Sequence, residues 1–91
     1  MRITIQAAEQ SVTIKIEGRV AEHLVAELDR SWHELAPSLG SRILSVDLRG
    51  VTFMDRTGRD LLAEIHAKTG AAFLADTPMT KYFAEEAMQG I

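Results

Sequence analysis

The fold is decided by residues 43–58, which read ILSVDLRGVTFMDRTG. Ile43–Leu48 is rich in β-forming residues and carries apolar side chains on both faces, as a central strand covered on both sides does. Arg49-Gly50 interrupts this run, and Val51–Met54 follows as a short extended or apolar loop segment. A polar turn follows at Asp55-Arg56-Thr57-Gly58, and a helical pattern begins after it. The block therefore predicts a buried strand that leads through a short loop into a helix.

Two alternating segments upstream of this block predict an opening β-hairpin. Apolar and polar residues alternate over residues 2–7 and again over residues 12–17, which is the period of a half-buried strand. Glu9-Gln10 forms the tight turn between them, and Gly18 ends the second strand.

The period changes to that of a helix over residues 20–36, and Pro37 and Gly40 close this helix. One stripe of the helix is apolar and is predicted to face the core. Its residues are Ala21, Leu24, Val25, Leu28, Trp32 and Leu35.

The remainder of the chain predicts a helix, a short strand and a last helix. The first of these helices covers residues 57–69 and stops at Gly70, and a short apolar strand follows over residues 71–75. Thr77-Pro78 supplies an N-cap and a proline at the first helical position, and the last helix ends near Gly90. The residues predicted to point inward from the two helices are Leu61, Leu62, Ile65, Met79, Phe83 and Ala87.

The element order β-β-α-β-α-β-α predicts an α/β fold that forms one domain over residues 1–91. Strands that alternate with helices pair in parallel through right-handed crossovers. The expected sheet is small and mixed, with about four strands, an opening hairpin followed by parallel βαβ units, and about three helices.

Composition excludes several classes of function. The net charge is −3, from 10 basic and 13 acidic residues, whereas nucleic-acid binders and polybasic membrane anchors carry a basic excess. No apolar run approaches the length of about 20 residues that spans a membrane, and the N-terminus has no apolar signal core. We therefore expect a cytoplasmic protein. The absence of cysteine excludes disulfides and thiolate chemistry.

Residues 43–58 resemble the signature region of STAS domains, the anti-sigma-factor-antagonist family. In that family a central strand of the form apolar-apolar-Asp-Leu is followed by a small turn and an apolar segment. Asp-Ser-Ser-Gly or Asp-Ser-Thr-Gly then begins a helix. Val46-Asp47-Leu48 and Asp55-Arg56-Thr57-Gly58 stand at these positions, and Ala75–Pro78 is similar to a later strand that runs into a proline-started helix. The resemblance covers nearly the whole chain.

The resemblance implies a non-enzymatic interaction module without metal or cofactor. Such modules bind a kinase-like regulator, often one that restrains a sigma factor, and are released when the hydroxyl residue before the motif's glycine is phosphorylated. Thr57 holds that position here, although a threonine at a helix start also serves as a plain N-cap. The residues implied to contact the partner are Met54, Asp55, Arg56, Thr57, Gly58 and Arg59.

Three departures from the family pattern bear on this function, and the first and third of them motivate a second hypothesis. Arg56 replaces a small hydroxyl residue, and Arg59-Asp60 replaces the usual Leu-Gly. The sequence ends after the helix at 78–89, where many family members add a strand and a helix, so we expect a shortened variant that docks a partner or forms a homodimer through an exposed sheet edge or helix face. The alternative function is a subunit of a lipid or anion transporter assembly, in which Thr57 is a contact and is not phosphorylated.

A third hypothesis concerns Arg49, Arg56 and Arg59. These side chains either converge around the loop and hold a nucleotide or another anion, or they are three solvated surface arginines.

The histidines do not predict a metal site. His23 shares a helix face with Glu27, and His33 shares one with Asp29, but such pairs fall short of the three or four ligands of a zinc site. No nucleophile elbow, Walker loop or dinucleotide fingerprint occurs in the sequence. The sequence therefore predicts no enzyme.

Overall fold

The computed structural model describes residues 1–89 and contains four strands and three helices in the predicted order. Each element lies close to its predicted position, which confirms the expected α/β architecture. The elements are β1 (Arg2–Ala7), β2 (Ser11–Val20), α1 (His23–Leu39), β3 (Ile43–Met54), α2 (Arg56–Thr69), β4 (Ala72–Leu74) and α3 (Pro78–Gln89).

The strands form one mixed sheet in the order β1-β2-β3-β4. β1 pairs with β2 in antiparallel fashion, which confirms the opening hairpin. β2 pairs with β3, and β3 with β4, in parallel, as two βαβ units require. Ile14 lies beside Val46 in the β2–β3 register, so apolar residues of adjacent strands share one face of the sheet.

The core lies between this face and the helices. Leu44, Val46 and Leu48 of β3 are fully or almost fully buried, and Trp32 of α1 is 3% exposed, as its place on the apolar stripe predicts. Ile43 is 68% exposed, so the prediction that β3 is apolar and covered on both faces is wrong at its first residue. The deepest large side chains of the core are Ile14, Ile16, Leu28, Leu48, Leu62 and Ile65.

Both central strands are longer than the sequence predicts. β2 continues past Gly18, which has a φ of +92°. Its pairing register with β3 shifts between Gly18 and Arg19, but the pairing itself continues. β3 continues through Arg49-Gly50 without a break, because the ladder to β2 pairs Gly50 with Glu17. A Cβ at Gly50 would lie 2.8 Å from Cγ of Glu17, so glycine here serves close packing between strands. The glycines that indicated strand ends are therefore irregularities inside strands.

Helix α1 begins at His23 and includes Pro37, so the predicted start at residue 20 and the predicted stop at Pro37 are wrong, whereas Gly40 ends the helix as predicted. The proline removes one backbone donor in the last turn of the helix. The side chain of Arg42 caps the same end. Its guanidinium donates hydrogen bonds to the carbonyls of Ser38 and Leu39, which satisfies two carbonyls of the final turn. Gly40 then ends the helix with a φ of +60°.

Helix α3 begins at Pro78 as predicted, and a pair of threonines organises its start. Thr77 Oγ1 accepts from the backbone N–H of Thr80, and Thr80 Oγ1 accepts from the backbone of Thr77 and Asp76. Phe83 and Ala87 point inward as predicted, but Met79 is 40% exposed and that prediction is wrong. Thr80 takes the inward position of the first turn. The predicted end near Gly90 lies outside the described residues.

Within residues 1–89, no helix is both long and apolar enough to cross a lipid bilayer.

Candidate functional site

The candidate site lies where β3 ends and α2 begins, beside the turn that joins β2 to α1. Asp55 is the N-cap of α2, and its Oδ1 accepts from the backbone N–H of Gly58 at 2.9 Å and from the Thr57 hydroxyl at 2.8 Å. Its Oδ2 accepts from the backbone N–H of Glu22 at 2.9 Å. Asp55 therefore orders the loop through backbone N–H groups. The interpretation of Thr57 as the N-cap is wrong, because Asp55 holds that position.

These contacts determine the ionisation of Asp55. Partial burial opposes its charge, but the N–H groups of Glu22 and Gly58 and the Thr57 hydroxyl stabilise the carboxylate and hold the pKa below its usual value. Asp55 is consequently an anion at neutral pH. It is suited to fixing the loop and is a poor proton acceptor for acid–base chemistry.

Glu22 is held in a conformation that non-glycine residues rarely adopt. Its φ is 59° and its ψ is −134°, and it is the one non-glycine residue of positive φ within residues 1–89. Such a conformation costs on the order of 1–3 kcal/mol and persists where surrounding contacts enforce it. The hydrogen bond to Asp55 is one such contact. The sequence carries no signal for this strained turn, because Glu22 matches no turn motif.

Gly58 is required by packing and not by its own dihedral angles. A Cβ at this position would lie 2.9 Å from Cγ of Met54, 3.1 Å from Cγ1 of Val20 and 3.1 Å from the Val20 carbonyl oxygen. The first turn of α2 therefore sits directly against the end of β2.

The predicted partner-contacting residues divide into exposed and buried groups. Arg56 and Thr57 are exposed, and Asp55 and Arg59 are half-buried. Met54 is 3% exposed and belongs to the core, so it supports the loop from beneath and offers no surface to a partner. Thr57 thus presents a hydroxyl at the surface of a loop whose backbone is fixed on both sides.

The three arginines do not converge. Arg49 donates to both carboxylate oxygens of Asp47, each at 3.0 Å, and this ion pair lowers the pKa of Asp47 against the opposing effect of burial. Arg59 forms an ion pair with Glu86 of α3. Arg56 and Arg59 border one shallow recess, and Arg49 does not line it. Neither predicted arrangement is therefore present within residues 1–89, because Arg49 and Arg59 are paired within the fold and the recess beside Arg56 and Arg59 is also lined by Asp60 and Glu86.

A groove of about 500 Å³ runs between α1 and α2 beside Thr57. Val25, Ala26 and Leu61 give it an apolar part. Every other residue that lines it, apart from Thr57, is acidic. These residues are Glu22, Asp29, Asp55, Asp60 and Glu64.

One end of this groove brings together three groups that are able to ligate a metal. Asp29 and His33 pair along α1 at 3.0 Å as predicted, and Glu64 of α2 adds a third group, with all three ligand atoms within 4.8 Å of one another. The sequence indicated only the pair Asp29–His33, because the third member, Glu64, lies on another helix. His33 and Glu64 are exposed, and Glu64 also pairs with Lys68, so we assign no metal to these residues.

The sheet order, the helix order and the capped loop after β3 together define a STAS-like α/β fold. Among solved structures, the chain is similar to the anti-sigma factor antagonist SpoIIAA in its unphosphorylated form, with a TM-score of 0.73 and 14% sequence identity. The similarity covers 92% of this chain and 82% of that one. At this identity the likeness establishes the fold. No family model matches the sequence, and no curated protein matches it.

Proposed function

We propose that this chain is a non-enzymatic, cytoplasmic interaction module of the anti-sigma-factor-antagonist type. It binds a kinase-like regulator through the exposed residues of the loop at 54–59 and the adjoining surface of α2. Phosphorylation of Thr57 switches this binding. The observation that carries the proposal is the exposed Thr57 hydroxyl at the start of α2, oriented by Asp55 at 2.8 Å and followed by the closely packed Gly58.

The position of Thr57 favours control by a phosphate group. A phosphate adds about −1.5 to −2 charges at neutral pH, and the N-terminus of a helix attracts negative charge. The exposed guanidinium of the neighbouring Arg56 is a natural partner for phosphate oxygens. Arg56, which departs from the family pattern, therefore supports this switch in place of a second hydroxyl.

The same phosphate would disturb the loop. A phosphorylated Oγ1 has no proton to donate to Asp55, and the new dianion would repel a carboxylate that now lies 2.8 Å from that oxygen. Asp55 also holds the backbone of Glu22, so repulsion at Thr57 would reach the β2–α1 turn as well as α2. A partner that fits the unmodified loop would meet a different surface after phosphorylation.

The test combines affinity capture with mapping of the phosphate. Wild-type protein and the variants Thr57→Ala and Thr57→Asp are used as baits in native lysate, with Thr52→Ala as the control because Thr52 is also exposed and lies close by on β3. We expect wild type, Thr57→Ala and Thr52→Ala to retain one kinase-like protein that Thr57→Asp loses. The captured protein with ATP should add one phosphate to wild type and Thr52→Ala and none to Thr57→Ala.

Two results would contradict the proposal. Equal capture of the regulator by Thr57→Asp and by wild type would show that a negative charge at Thr57 does not control binding. Capture of transporter subunits by bait whose Thr57 is unmodified would support the transporter-assembly alternative instead.

A further inference from the structure

The groove between α1 and α2 is formed by two facing helical stripes. On the α1 side, the lining residues are spaced by about one helical turn each: the N-cap Glu22, then Val25, then Asp29. Thr57, Leu61 and Glu64 have the same spacing on α2. Each stripe spans about two turns, or roughly 10 Å. A helix of about two turns matches this length.

The charge of the groove has one sign. Five carboxylates line it, and no lysine or arginine does. Asp55 is satisfied by its loop contacts, Asp29 pairs with His33, and Glu64 pairs with Lys68 at 3.4 Å. No salt bridge within residues 1–89 involves the exposed Glu22 or Asp60. One carboxylate oxygen of Asp29 and one of Glu64 lie within 4.8 Å of each other. Like charges at such a distance repel one another, and a cationic ligand relieves that repulsion.

The apolar part of the groove narrows the choice of ligand. Half-buried Val25 and the β-carbon of exposed Ala26 lie on the α1 side, and Leu61 lies on the α2 side. A simple polycation would neutralise the acidic walls but would leave this apolar surface in contact with water. A segment that places apolar side chains on the floor and basic side chains at the walls satisfies both.

We propose that the groove between α1 and α2 docks a basic amphipathic helix of the partner protein, about two turns long. This inference deepens the proposed function by naming the chemistry of the partner, and it rests on that function in taking the occupant to be part of a protein. Thr57 borders the groove, so the switch and the docking surface are adjacent. The charge of a phosphate alone would attract a basic helix, so release on phosphorylation requires the steric bulk of the phosphate and the rearrangement of Asp55.

The experiment measures binding of a fluorescein-labelled synthetic peptide to the full chain by fluorescence anisotropy. The peptide is an amphipathic helix with leucine on one face and lysine on its flanks, and a second peptide carries glutamate in place of every lysine. The groove variant is the triple substitution Asp29→Asn, Asp60→Asn and Glu64→Gln. The matched control changes three exposed carboxylates outside the groove by the same total charge, through Glu9→Gln, Glu34→Gln and Glu85→Gln.

We expect the lysine peptide to bind wild type and the glutamate peptide not to bind. The groove variant should lose about tenfold or more in affinity, and the control variant about twofold or less, because close charge pairs count for more than distant, screened ones. In NMR spectra of the wild-type chain, addition of the lysine peptide should change the backbone amide chemical shifts of residues 22–29 and 57–64. Circular dichroism on both triple variants confirms that each is folded.

Three results would overturn the inference. Equal loss of affinity in both triple variants would show that only net charge matters. Shift changes confined to α3 would place the docking surface elsewhere. Displacement of the lysine peptide by spermine at equal charge concentration would show that the groove takes a small polycation.

Failure of this inference and failure of the proposed function give different results. If the docking surface is elsewhere, the two triple variants bind the peptide equally while Thr57 still controls capture of the regulator. If Thr57 is not a switch, the groove variant still loses the peptide while Thr57→Asp captures the regulator like wild type.

Discussion

Replacing Asp55 by alanine should destabilise the whole domain, because this one carboxylate joins three parts of the chain. It caps α2 through Gly58, it holds the Thr57 hydroxyl, and it fixes the backbone of Glu22 across the site. Loss of an N-cap costs about 1 kcal/mol in the free energy of unfolding, within a range of roughly 0.5–2. Loss of a hydrogen bond to a charged acceptor costs roughly 1.5–3 kcal/mol more. Relaxation of the Glu22 turn returns part of this cost.

The net expectation for Asp55→Ala is a loss of about 2 kcal/mol, which for a chain of this size lowers Tm by roughly 8–16 °C. Asp55→Asn should fall between alanine and wild type, because the amide oxygen still accepts from Gly58 while the amide nitrogen cannot accept from Glu22. Asp60→Ala is the matched control. Asp60 is exposed and forms no salt bridge within residues 1–89, so its change should stay within about 0.5 kcal/mol.

The assay is thermal and urea unfolding followed by far-ultraviolet circular dichroism on all four proteins. If Asp55→Ala unfolds at the same temperature as Asp60→Ala, then Asp55 does not hold the site together. If Asp55→Asn matches Asp55→Ala, the Gly58 cap contributes little and the contact with Glu22 carries the effect.

Three further outcomes test the geometry of the site and the sheet. Gly58→Ala should cost about 1–3 kcal/mol, since its Cβ would meet the Val20 carbonyl oxygen at 3.1 Å, and unchanged urea unfolding would show that the first turn of α2 has room to shift. Glu22→Gly should raise Tm by about 4 °C or more because glycine tolerates a φ of 59°, whereas Glu22→Ala keeps the strain and should give no such gain. The pKa values of Asp47 and Asp55 are lowered in the folded state, so their stabilising contribution is complete above the ordinary value near 3.8 and is lost as the pH falls through the folded values. An acid titration of Tm should therefore be shallower below about pH 4 in Asp47→Asn than in wild type.

Patterns that reflect burial predicted most of this fold. The alternation over residues 12–17 and the helical stripe that includes Trp32 follow from which residues avoid water, and the structure places these elements as predicted. The alternation over residues 2–7 also indicates a strand at the right place, although Ile5 of β1 is 43% exposed. The element boundaries were less predictable, because local signals compete with tertiary contacts. Gly18 and Gly50 indicate strand ends, yet pairing along β2 and β3 carries both strands through them. Pro37 indicates a helix end, yet α1 continues through it to Leu39, and Gly40 ends the helix.

The candidate site divides in the same way between local and distant contacts. The role of Asp55 in the loop is predictable because Gly58 is three residues away, within reach of a capping side chain. The bond from Glu22 to Asp55 spans 33 positions, and the groove depends on how α1 and α2 pack. No pattern in a single sequence encodes either feature. The predicted convergence of the arginines failed for a related reason. Arg49 and Arg59 are close to the loop in sequence, but in the fold they form ion pairs with Asp47 and Glu86.

Asp55 links the proposed phosphorylation site to the proposed docking groove. It contacts the Thr57 hydroxyl on the α2 side and the strained Glu22 backbone on the α1 side, and both of those residues line the groove. A change at Thr57 that displaces Asp55 therefore removes a bond that holds Glu22 in a high-energy conformation, and relaxation of that turn alters the α1 wall. A modification confined to one hydroxyl would in this way change both walls of the groove at once, whereas a phosphate that acted by charge alone would change only the α2 side. Chemical shift changes at residues 22–26 in phosphorylated protein without any partner distinguish the first mechanism from the second.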